Sequence, residues 1–145
     1  VLPVFVLLVG AIIDFGFIFA QQIAFNTSAR DAARAGVLST MSGSTLTCAQ
    51  VAQRARADGA SGAVGAGAGD DITVTVTGAG GSCTLPAGSS TPTGDGGSKP
   101  CAGSATSPTT DLAVTVSYAS SPPFPVPFLG TVTLDSRGNF QCEYT

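Results

Sequence analysis

Histidine and tryptophan are absent from the 145 residues, and lysine and glutamate occur once each, as Lys99 and Glu143. Without histidine, the common Ser-His and Cys-His nucleophile arrangements cannot be built. Charged side chains make up 10% of the chain, and the net charge of −3 includes only six scattered basic residues. That leaves no electrostatic footprint for nucleic acid and no basic cluster for anionic lipid headgroups. No two of the four cysteines form a CxxC pair, so the close ligand pairs usual in cysteine zinc sites are missing. Asp70-Asp71 follows a Gly-rich connector, where adjacent acids are expected to be solvated. The stretch GAVGAGAG at 62–69 lacks the Lys-Ser/Thr that a phosphate-cradling loop needs. No catalytic residue, metal ligand or cofactor is expected, and the chain is read as not an enzyme.

What is present begins at the first residue. Val1 to Ala20 is an almost unbroken apolar run whose only charge is Asp14. About 20 apolar residues match the roughly 30 Å hydrocarbon core of a bilayer. The run flows without a breaker into QQIAFNTSARDAARAGV, alanine-rich and amphipathic, so one helix is predicted over residues 1–38. Pro3 falls in the first turn, where its missing N–H costs little. Gly10 and Gly16 suit close packing of membrane helices and are where the helix is expected to bend or loosen. Ala20/Ala24, Ala29/Ala33 and Ala32/Gly36 continue the small-xxx-small spacing, while Ile18, Phe25, Ala29, Ala32 and Val37 share a stripe that packs inward or on neighbours. Arg30 and Arg34 lie four apart, with Asp31 placed for a weak helical ion pair. The run starts with no basic region before it and continues without a cleavable loop, so a retained helix is expected rather than a signal peptide. The sequence is then expected to be already processed or to begin partway into the natural product.

The remaining residues, 39–145, are expected to form one small extracellular head. Cys48 to Asp58 reads as a short helix beginning near Thr47 and closed by Gly59 as its C′ residue. Period-2 alternation in ITVTVT (72–77) and LAVTVSY (112–118) marks strands. Residues 131–135 and 139–144 are two further candidates, the second continuing or completing the first after Ser136-Arg-Gly-Asn139. Gly78 to Thr110 reads as a long exposed loop, whose Ser/Thr/Pro-rich part from Ser89 is a candidate for O-linked sugar. Residues 120–128 are a proline-rich turn in which Phe124 and Phe128 cap the core or touch a neighbour. The fold class is α+β: a long N-terminal helix, a short second helix and a small antiparallel sheet. Four widely spaced cysteines beside a membrane-type helix indicate two disulfides in an oxidising compartment. Of three connectivities, Cys83–Cys101, closing the local loop, with Cys48–Cys142 is favoured.

Asp14 stands out, since an acid near the middle of a membrane helix is costly and is by default functional. It is expected to pair with a positive group on a neighbouring subunit and to set axial register.

The opening VLPVFVLLVG, the IIDFG segment at Ile12 to Gly16 and the AR-x-AARAG ending at Ala29 to Gly36 together resemble the start of TadE-like pilins. These are subunits of tight-adherence (Tad) pili in the type IV pilus superfamily. The resemblance covers about 37 residues. It implies a prepilin held in the cytoplasmic membrane, processed by a prepilin peptidase and passed by an assembly platform into a pilus on the bacterial surface. Two positions depart from the family. Relatives carry a Glu at the fifth mature position where this numbering has Phe5; in TadE-like sequences that acid shortly precedes the VLP segment, so the mature chain is expected to begin upstream. Phe17 stands where many relatives have a basic residue. The expected function is a structural subunit polymerising through its N-terminal helix, alone or with other pilins, into an adhesive filament. A minor or priming pilin and a non-polymerising membrane-anchored envelope protein are the alternatives.

Overall fold

The computed structural model describes residues 2–41, 46–63, 69–101, 111–124 and 130–142, with side chains in the first segment described through Leu38. Phe128, Thr110, Glu143 and Tyr144, on which expectations above fell, lie outside them. α1 (Leu2–Met41) is continuous through Gly10 and Gly16, and at about 1.5 Å per residue it is about 60 Å long. α2 (Cys48–Gly62) starts from a capping box: the Thr47 hydroxyl accepts from the Gln50 amide while the Gln50 side chain accepts from Thr47 N–H. Its end differs from expectation. Gly59 lies inside the helix because it is needed for a close approach, where a Cβ would sit 3.3 Å from the Phe25 ring and 3.4 Å from Ser28 Oγ.

Five strands follow: β1 (Ile72–Gly78), β2 (Gly81–Leu85), β3 (Thr93–Gly94), β4 (Asp111–Ser120) and β5 (Val132–Gln141). They form one sheet ordered β3-β2-β1-β4-β5, antiparallel throughout. The register sets Ile72 against Tyr118, Val74 against Val116 and Val76 against Val114. All six are buried on one face, as period-2 alternation requires. α2 packs over β1 and β2, and the second half of α1 packs over β4 and β5. The core is the space between, filled by Phe25, Ala29, Ala32, Val51, Ala52, Leu85 and Leu112 with the strand residues.

Two expectations about the sheet are corrected. Gly78 to Thr110 is no single loop, because Gly78–Gly81 is a tight turn that returns the chain as β2 and then β3. The carbonyls of Gly96 and Ser98 then accept from Ala49 and Cys48 N–H, satisfying free donors at the start of α2. The candidates at 131–135 and 139–144 are one strand rather than two, because β5 runs straight through Ser136 to Asn139. Gly138 is there because β5 crosses α1 in backbone contact, with Ala29 O only 2.5 Å from where a Cβ would be.

The disulfides pair Cys48 with Cys83 and Cys101 with Cys142, with Cα separations of 6.1 and 5.5 Å. The expected Cys83–Cys101 and Cys48–Cys142 pairing is therefore wrong. Cys83 lies on the inward face of β2 beneath the start of α2, whereas Pro100 and Cys101 dock on the β1–β2 turn, where Gly80 N–H donates to Pro100 O at 3.0 Å. That docking carries Cys101 to the end of β5 instead.

Peptide mapping of the non-reduced protein is expected to recover the Cys48–Cys83 and Cys101–Cys142 links. Replacing Cys101 and Cys142 by Ser is expected to cost about 2–4 kcal/mol in denaturant unfolding. Gly138→Ala, which adds one methyl against the α1 backbone, is expected to cost about 1–3 kcal/mol.

Candidate assembly site

α1 changes character along its length. From Leu2 to Val9 every side chain is exposed, including Leu2 at 76% and Phe5 at 66%. From Gly10 onward one face is covered, and the opposite face keeps an open apolar stripe: Ile12, Phe15, Phe19 and Ile23. The Phe15 and Phe19 rings stack with centroids 6.3 Å apart. α1 is long and apolar enough to cross a membrane. Bare apolar area of this kind marks an interaction surface.

The covered face is held by polar contacts as well as packing. Asp14 and Gln21, two turns apart, are both buried. Asp14 Oδ1 accepts from Phe124 N–H at 3.0 Å, and Gln21 Oε1 accepts from the Ser120 hydroxyl. Gln22 Nε2 donates to Asp135 O at 3.0 Å and to Ser136 Oγ at 3.1 Å on β5. The adjacent glutamines thus tie α1 to both strands it covers. Farther along, Phe25 meets Tyr118, with ring centroids 5.3 Å apart.

The residues expected to serve assembly therefore divide. Ala29, Ala33 and Gly36 are buried against the chain's own head; a Cβ on Gly36 would fall 2.5 Å from Leu112 Cδ2. Gly10 is covered by the Phe124 ring. Pro3 and Gly16 are exposed, and nothing lies within 4 Å of the Cβ position of Gly16. Ala20 and Ala24 line a groove of about 480 Å³ between α1 and α2, with Ile23, Thr27, Asp31 and Asp58. Arg30, Asp31 and Arg34 are exposed, and Asp31 forms no ion pair with Arg34 among the described residues. Asp14 Oδ1 accepts an amide of the same chain, and Oδ2 is buried without a partner among the described residues.

Arg56 carries weight that sequence reasoning missed. On α2 it donates to Leu85 O, Pro86 O and Ser89 O, pinning the loop after β2. Burial lowers its pKa from the ordinary arginine value, and nearby Asp70 opposes that shift. A guanidinium among backbone carbonyls is a structural brace. Its only sequence signal was position: Arg56 follows Ala55 on the face that also carries Ala52 and Val51.

Residues 1–34 match the model of the family described as TadE-like protein. The N-terminal segment of α1 is TadE-like. The match spans about a quarter of its length and coincides with the part of α1 that holds the bare tip, Asp14 and the glutamine pair. No curated protein and no solved structure matches the chain. The TadE-like segment thus supplies a helix, and the head brings its own strand-rich cover for one face of it.

Gln21→Leu removes the acceptor of the fully buried Ser120 hydroxyl. It is expected to lower stability by about 1–3 kcal/mol, measured by denaturant unfolding of the full chain in mild detergent.

Proposed function

We propose that this TadE-like protein is a structural pilin subunit, held in the cytoplasmic membrane by α1 and polymerised through α1 into an extracellular Tad pilus that attaches cells to surfaces. The observation that carries the reading is the all-round exposure of Leu2 to Val9, continued by the Ile12–Ile23 stripe, on a helix whose other end is fastened into a disulfide-bonded head. In the membrane, lipid covers those side chains; outside it, other copies must. Burying them at about 25 cal/mol per Å² supplies cohesion without covalent links between subunits. Repetition of one non-closing contact produces a fibre. Other pilins of the same machine fit the same helix surface, and processing by a prepilin peptidase precedes assembly. The role requires no catalytic step, cofactor or nucleic acid.

Electron cryo-microscopy of filaments sheared from producing cells, with mass spectrometry of their subunits, tests this. Density for the chain along the whole fibre, with residues 2–23 in its core, is the expected result. Finding the chain only in membranes excludes polymerisation and leaves an anchored envelope protein. Scarcity along the fibre, with enrichment at one end, assigns a minor or priming pilin. Leu7→Lys is expected to abolish filaments while the head stays folded, since a lysine within an apolar helix costs up to about 3 kcal/mol, the value at its centre.

A further inference from the structure

Asp14 is the single charged side chain among residues 1–29, and it is fully buried in the apolar half of α1. A carboxylate in such surroundings is costly unless a donor reaches it. The donor is Phe124 N–H, in a segment that leaves the sheet where β4 ends at Ser120. That segment reads Pro122-Pro123-Phe124-Pro125, and proline has no backbone N–H. Phe124 therefore carries the only main-chain donor among these four residues, and it meets the only acid in the first 29.

Two further contacts seat the same segment on the same helix face. One turn before Asp14, Gly10 leaves room for the Phe124 ring, whose Cδ1 is 3.0 Å from where a Cβ would stand. Two turns after Asp14, Gln21 accepts the Ser120 hydroxyl. Sliding the segment by one helical turn removes the acid from the amide and the glycine from the ring together. The match of one donor to one acceptor admits a single register.

We propose that Asp14 is a positioning residue: as the acceptor for Phe124 N–H it clasps the Ser120–Phe124 strap to α1 and fixes how far the head reaches along the apolar helix. This deepens the assembly reading, on which its consequence for filaments rests, by making the acid's partner intramolecular. The clasp needs an oxygen acceptor at residue 14, whereas an ion pair between subunits needs a charge. Asn at that position separates the two.

The test is amide hydrogen exchange, read by NMR on the full chain in detergent micelles, for wild type, Asp14→Asn and Asp14→Ala, alongside filament yield from cells. Asp14→Ala is expected to speed Phe124 exchange about tenfold or more, the scale of a lost hydrogen bond to a charged acceptor, while Val74 and Val116 in the sheet stay protected. Asp14→Asn is expected to keep Phe124 slow and filament yield near wild type. Gly10→Val, which removes the ring's seat and leaves the acid, is expected to speed the same amide and serves where Asp14→Ala fails to fold. Unchanged Phe124 exchange in both Asp14→Ala and Gly10→Val overturns the clasp. Loss of filaments in Asp14→Asn with Phe124 still protected overturns the clasp as the acid's role in assembly and assigns the charge to a neighbouring subunit. Absence of the wild-type chain from filaments removes the assembly reading, and the exchange result then decides the clasp alone.

Discussion

The backbone contact between α1 and β5 governs much of the rest. A helix and a strand ordinarily stand apart by the length of their side chains. Here Gly138 on the strand and Ala29 on the helix bring main chain to main chain, with Ala32, Ala33 and Gly36 extending the close approach. That closeness lets Gln22 reach the β5 carbonyl of Asp135 with one side chain. It also allows a head with few large residues to enclose a core, because Phe25, Tyr118 and Leu112 then fill space that a wider gap would leave open.

One helix has to satisfy two different solvents along its length. Its second half is amphipathic in the ordinary sense, with alanines inward and Arg30, Asp31 and Arg34 outward. Its first half is apolar on every side, and the polarity that it does contain, Asp14 and Gln21, is turned toward the head rather than toward lipid or a neighbour. The head thereby stabilises polar groups that an isolated membrane helix would have to leave unsatisfied.

Local signals in the sequence read well where the structure is local. The apolar run, the helix beginning near Thr47 and the alternation of β1 and β4 follow from composition and from periodicities of 3.6 and 2, and the extent of α1 was legible for the same reason. Signals that serve a distant contact were misread. Gly59 carries the signature of a helix stop and Gly138 fell between two candidate strands, yet both are gaps for another element's atoms. The pairing of cysteines failed similarly: proximity in sequence favoured Cys83–Cys101, while the return of the chain as β2 set Cys83 under α2. At the candidate site, Asp14 was conspicuous as a lone acid, but its partner lies 110 residues away on a backbone amide, a group that no residue pattern announces.

Neither disulfide includes a residue of α1. Cys48–Cys83 and Cys101–Cys142 knit α2, the sheet and its loops into a covalent unit, whereas α1 joins that unit through the chain at its C-terminal end and otherwise by packing and hydrogen bonds. Under a pull along the helix axis, the two parts differ in kind. The cross-linked head resists unravelling because its ends are bridged, and the seam between helix and head yields first, from the Asp14 end toward Gly36, without rupture of any covalent bond. Such a seam is reversible: when the load drops, the same small-residue face and the same glutamines are there to close again. Mechanical compliance in this molecule is thus confined to one interface, and the cross-linked head keeps its shape.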